Sequence, residues 1–351
     1  MGNKENVIER NSSLDILRVI TAIGVVILHF STASNGGLLY AESHSMNYYY
    51  LLATCAVCSP AVNIFILLSG YFSVGKTEIK KSKVAYILLM TIVVRLLFYI
   101  FSLLIGREIF EITKFIRVLL PINYYVVLYL TLYIISPYIN IVINKLSQKE
   151  YLRLLVTIIS LFSFWTFFVD CLKQFIGGEL LDPLSTIASN GSNGGYTLIN
   201  FIMMYIIGGY LKRFDINVRK NLLGIILGGC FVFIFLMSLV SQKSWNYNNP
   251  IVIVFAVCII IMFNGIKIRS NPICKLSNAT LSCYLIHVFV FEYMDISNYV
   301  ELNVFALAGI QLIIALIVYL ISFIFTILFN YITNPLMKVL KNRDKSVNDG
   351  S

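Results

Sequence analysis

Apolar residues gather along this chain in repeated runs of about 17–25, long enough to cross a hydrocarbon core as helix, and charged residues punctuate the runs. The runs predict helices near 14–33, 49–72, 84–105, 123–143, 151–169, 196–211, 221–241, 249–264, 279–294 and 303–332. The sixth and eighth are short. The last exceeds what a bilayer needs, so it is expected to tilt or to run into the headgroups. Residues 106–121 follow another pattern. Ile109, Ile112, Phe115, Ile116 and Leu119 fall on one helical face with charges opposite, as in a helix lying in a membrane interface. Residues 170–195 contain DPLSTIASNGSNGG and read as a turn-rich loop, a linker in preference to a flap.

Composition agrees with the runs. Of 351 residues, 58% are apolar and 13% charged, and a soluble surface needs about twice that charged share. The fold class expected is all-α: a polytopic bundle of about ten transmembrane helices. The net charge of +10 forms no single patch, so nucleic acid is not an expected partner. Instead, 20 of the 27 Lys and Arg fall in the tails and alternate loops, and 5 in the other loops. Basic loops stay in the cytoplasm, so both termini are expected inside, which requires an even number of spans. The division is a tail over 1–13, a membrane domain over 14–335 and a basic tail over 336–351. Lys4 and Arg10 precede the first run, but no cleavage site follows it, so it reads as a retained span.

Seven cysteines are an odd number, and most lie within apolar runs, so no disulfide framework is expected. Cys55 and Cys58 have redox-motif spacing but sit in an apolar span without further ligands, and no metal is expected. GIILG at 224–228 has helix-packing spacing. There is no repeat of the kind found in inverted-repeat transporters.

Against this apolar background the few polar residues within spans are informative, since each charge there costs about 2.5–3.5 kcal/mol on insertion scales. In the first span, LDILRVITAIGVVILHFS, Asp15 and Arg18 are three residues apart and offset each other's burial. His29 follows Arg18 by eleven residues, on the same face and roughly 16 Å away in depth. A neutral imidazole there suits general-base work on a hydroxyl. His287 lies within LSCYLIHVFVFEYMD, with Glu292 and Asp295 beyond it. Arg95 lies at mid-depth and needs a carboxylate, a carbonyl or a bound anion. Lys76, Lys80, Lys81 and Lys83 serve as an inside signal or collect a phosphate-bearing donor. His44, in a polar loop, reads as solvated.

The LD-x-LR…H span, with ten residues between Arg18 and His29, resembles the signature of the membrane acyltransferase-3 family. NIFILLSGYF at 63–72, the basic run 76–83, YTLINFIMMYIIGGYLKR at 196–213 and LSCYLIHVF at 281–289 are similar to later segments of that family, in order along nearly the whole chain. The resemblance implies a ten-helix core, a multi-pass protein of the bacterial plasma membrane, and acetyl-coenzyme A as donor. It also implies a catalytic His29 with Arg18 as its essential partner and Asp15 beside it. Donor contacts are expected at Lys76, Lys80, Lys81, Lys83 and Arg95, and acceptor contacts at His287, Glu292 and Tyr124. The family often has arginines where this chain has lysines in the 76–83 loop. No hydrolase-like domain is attached, which within the resemblance points to acceptors in capsule or exopolysaccharide, or a lipid-linked glycan. Partners beyond these are membrane lipids, and the oligomeric state, a homo-oligomer included, is left open. Two other classes fit the pattern: a transporter or flippase of lipid-linked sugars, in which His29 would be dispensable, and a non-catalytic glycolipid-binding domain.

Overall fold

The computed structural model describes residues 12–176 and 193–348. The tail before Ser12, the middle of the 170–195 loop and the last three residues lie outside them. The helices are α1 (Ser13–Ser31), α2 (Met46–Cys58), α3 (Ala61–Ser73), α4 (Lys81–Leu104), α5 (Ile112–Leu119), α6 (Tyr124–Lys145), α7 (Gln148–Ile159) and α8 (Thr166–Ile176). After the undescribed segment come α9 (Leu198–Arg213), α10 (Lys220–Ser238), α11 (Pro250–Asn264), α12 (Asn271–Leu276), α13 (Thr280–Glu292), α14 (Ser297–Val300) and α15 (Val304–Asn348). Local sequence sets several starts. Ser45, Asn123 and Thr197 accept from the first-turn amides of α2, α6 and α9, Ser147 and Glu150 form a capping box on α7, and Asn249-Pro250 opens α11.

Among the described residues nine segments are long and apolar enough to cross a membrane, so the protein is an all-α, multi-pass membrane bundle. The remaining expected span, the sixth, is α9. Its 16 residues fall short of that length, rising about 24 Å. α9 nevertheless lies at the centre. A Cβ on Gly70 of α3 would fall 2.0 Å from the Tyr205 carbonyl oxygen, and one on Gly208 2.0 Å from that of Leu67. Two backbones touch reciprocally there, and only glycine permits it. Gly224 and Gly228, which have the packing spacing in the sequence, face open space.

The second expected span is two helices. Pro60 has no N–H to give the Ala56 carbonyl, and the Ser59 hydroxyl donates to that oxygen instead at 2.9 Å. The tenth is longer than expected. α15 runs 45 residues, passes Pro335 and continues to Asn348. Residues 336–348, within the expected tail, continue the helix. Near its end the Asp344 carboxylate accepts from the backbone N–H groups of Lys81 and Ser82, both at 3.1 Å, and caps α4.

The amphipathic segment forms α5, with Ile112, Ile116 and Leu119 exposed and Lys114 paired to Glu108 and Glu111. Arg95 secures it, donating to the carbonyls of Arg117, Val118 and Ile122 at 3.1, 3.3 and 3.0 Å. This meets the requirement that Arg95 be partnered, but by the carbonyls at the end of α5. Its placement among the donor contacts is corrected accordingly: the guanidinium is committed to a helix end.

Candidate active site

The first helix supplies the start of the site. Asp15 is fully buried and receives Arg18 Nη1 at 3.1 Å. Its oxygens also accept from the Cys274 thiol and the Ser277 hydroxyl, each at 3.3 Å. A buried carboxylate with several donors is the arrangement in which such a charge is tolerated. It ties α1 to the α12–α13 junction and fixes Arg18, whose guanidinium lies 4.7 Å over the ring of Phe72.

Arg18 lines a cavity of about 380 Å³ together with Ser69, Lys83, Tyr129 and Tyr284. Lys83 Nζ donates to the Tyr129 hydroxyl at 2.9 Å and lies 4.2 Å over the Tyr133 ring. Tyr125, Tyr129 and Tyr133 recur every fourth residue, so one face of α6 presents phenols to this side. Tyr284, in the cavity lining, has its ring centroid 5.6 Å from that of His287.

His29 and His287 stand together, their centroids 4.8 Å apart and their planes tilted by 49°. His287 is fully buried. Its Nδ1 lies 3.1 Å from the Cys283 carbonyl oxygen. A carbonyl only accepts, so Nδ1 carries the proton and Nε2 keeps a lone pair. That Nε2 has no hydrogen-bond partner among the described residues. The pair thus presents an unused nitrogen lone pair beside a second imidazole. His287 was expected among acceptor contacts, but sequence spacing gave no sign that it adjoins His29.

The lysine cluster divides. Lys83 faces Arg18, whereas Lys76 and Lys80 line a second cavity of about 500 Å³ with Lys341 and Asp344. Burial, with the charges of Lys83 and Lys80 beside it, lowers the Lys76 pKa. Lys81 is exposed and contributes its backbone N–H to Asp344. Lys341 joins this group without having been singled out in the sequence, where it was one more basic residue near the C-terminus. Tyr124 shares a side-chain hydrogen bond with Tyr284 of the cavity lining, and its ring is 5.1 Å from that of Tyr196, which is 4.5 Å from Tyr247. Glu292 is exposed at the end of α13. Cys55 is buried, Cys58 partly so, and both are free thiols. Among the described residues no group of three or more His, Cys, Asp or Glu is placed to hold a metal ion.

The family model described as an acyltransferase domain matches residues 11–336. The chain belongs to the membrane acyltransferase-3 family. No curated protein and no solved structure matches it. The acyltransferase therefore takes an acyl group from a donor and passes it to an acceptor. Its matched region includes Asp15, Arg18, His29, Lys83 and His287, the residues that the cavity and the histidine pair bring together. Ser277, Cys274 and the phenol face of α6 are the supporting residues that sequence reasoning passed over. The four-residue spacing of the tyrosines was the one signal that could have found them.

Proposed function

We propose that this acyltransferase moves acetyl from acetyl-coenzyme A, bound at the basic end of the bundle, to a hydroxyl of a polysaccharide outside the cell. The observation that carries the reading is that Tyr284, which lines the cavity shared by Arg18 and Lys83, packs against His287, the partner of His29. A coenzyme with phosphates at one end and a thioester on a long arm matches that order of groups. In this reading the basic end is cytoplasmic, both termini lie inside, and the membrane is the bacterial plasma membrane. The acceptor class in this reading is capsule or exopolysaccharide.

The donor phosphates meet Lys76, Lys80 and Lys83, which act as point charges. The arm runs through the cavity past Arg18 and Tyr129 towards Tyr284. His29 takes the proton of the acceptor hydroxyl as its oxygen attacks the thioester carbonyl. A carbon–oxygen bond forms, the carbon–sulfur bond breaks, and the proton passes to the departing sulfur. The products are the acetyl ester and the free thiol. His287, with Nδ1–H held by Cys283 and Nε2 unbonded, positions the ring of His29 by packing against it at 4.8 Å.

The test follows labelled acetyl from acetyl-coenzyme A into polysaccharide in membranes carrying the wild type, His29→Ala or His287→Ala. Wild type should incorporate label and His29→Ala none, at equal protein level. His287→Ala should fall by about 10²–10⁴-fold, the range of one acid–base group. Undiminished transfer by His29→Ala would remove that residue from the chemistry.

A further inference from the structure

At the end of the bundle away from the lysine loop, a third cavity of about 470 Å³ opens between the last turns of α4 and α13 and the short α14. Four aromatic rings line it, Phe98, Phe101, Tyr293 and Tyr299, beside the polar side chains of Asp295 and Asn298. Its position relative to the histidines follows from the helices. Val290, also in the lining, lies one turn beyond His287 on the same face of α13. Ring contacts run from His287 to Phe291 at 6.4 Å, from Phe291 to Phe30 at 6.3 Å, and from Phe30 to Tyr299 at 6.4 Å. Phe30 directly follows His29. The cavity thus stands where both histidine-bearing helices end.

Its walls are held in place. The Tyr293 hydroxyl is hydrogen-bonded to the Ser102 hydroxyl. Its ring meets Phe101 edge-on at 5.4 Å, and Arg107 lies 4.7 Å over that ring. Phe98 stacks on Phe289 at 4.5 Å. Asp295 accepts from Ser297 at Oδ1, through the hydroxyl at 2.6 Å and the backbone N–H at 3.1 Å, and from Asn298 Nδ2 at 3.2 Å on Oδ2. Those bonds hold its carboxyl below the usual carboxylate range. A carboxylate offers about four acceptor sites, so Oδ2 keeps one, and the Asn298 amide keeps a donor and its carbonyl oxygen.

Flat aromatic walls beside a carboxylate and an amide with spare hydrogen-bonding capacity suit a sugar ring, which has apolar C–H faces and a rim of hydroxyls. Asp295 is the one charged group in the described lining and repels anions. We propose that this cavity is the acceptor subsite of the acyltransferase and takes a sugar residue without carboxylate or phosphate. The proposal rests on the reading above that the acceptor is a glycan.

Two measurements separate the proposal from that reading. In the first, intact cells carrying Asn298→Cys are labelled with a membrane-impermeant maleimide, and the signal is compared with that of cells carrying the parent protein. The probes are the neutral and acidic fractions of de-O-acetylated polysaccharide from the same cells. The neutral fraction should slow labelling about tenfold. No protection by either fraction, or protection by the acidic one alone, overturns the proposal whether or not the enzyme is active. In the second, acetyl transfer is followed in Asp295→Asn and Tyr299→Ala. Asp295→Asn should raise the acceptor KM about tenfold, the loss of one hydrogen bond to a charged group, and Tyr299→Ala should raise it as well. Donor KM and kcat should stay unchanged in both, since uniform binding alone is removed. Unaltered acceptor KM in both variants, with His29→Ala inactive, rejects the subsite and keeps the glycan reading. Absence of transfer by the wild type rejects that reading, and the protection measurement alone then decides the cavity.

Discussion

Lys76 joins the charge of the lysine loop to the solvent conditions in which the enzyme works. Its side chain reaches solvent, but partial desolvation and the charges of Lys83 and Lys80 make it give up its proton at lower pH than an ordinary lysine. Only the protonated form attracts a phosphate. The donor KM should therefore begin to rise at a pH where an ordinary lysine would still be fully charged, and Lys76→Arg should shift that rise upward. Donor KM measured between pH 7 and 10 for both proteins checks this. A profile that the arginine variant leaves unmoved would take Lys76 out of the donor contact. Among the other site residues, Asp15, Arg18 and His29 were legible in the sequence because their separations are fixed within one helix. The partners of Asp15 were not, since Cys274 and Ser277 come from a distant segment with no pattern of their own. The adjacency of His29 and His287 was hidden for the same reason. A helix constrains its own residues tightly and says nothing of its neighbours.

The α3–α9 contact turns two glycines into a requirement. A methyl group at position 70 or 208 would meet backbone atoms at 2.0 Å, and backbone has no rotamer to yield. Gly70→Ala should lower stability by about 1–3 kcal/mol or more. Gly228→Ala, where nothing lies within 4 Å, should be neutral or slightly stabilising through helix propensity. Thermal unfolding of the two variants in detergent makes the comparison, and equal midpoints would mean that the two helices separate readily. Sequence spacing pointed to Gly224 and Gly228 instead. Small residues are common on both packed and lipid-facing sides of spans, so spacing could not tell which pair was in contact. The break at Ser59-Pro60 was equally hard to see, because the apolar run continues across it.

The number of crossings decides which way the bundle faces. Nine described segments meet the length of a span, and the even number that the lysine and arginine pattern calls for needs α9, with 16 residues, to cross as well. Cysteines placed at Tyr196 and Lys220, on either side of α9, should then be labelled by an impermeant reagent from opposite sides of the membrane. Labelling from the same side would make α9 re-entrant and set the two termini on opposite faces. The far extent of α15 was not legible, since Pro335 and the basic residues after the last apolar run imitate a helix end followed by a tail. Asp344 shows why the helix continues. It caps α4 from a position 263 residues later in the chain. At ribosomal rates of about 5–20 residues per second, the start of α4 waits roughly 13 to 50 s for that carboxylate to be made. The mouth of the lysine loop is therefore finished only once translation has passed Asp344, and a nascent chain cut short before that point carries every described crossing helix but an unfinished doorway.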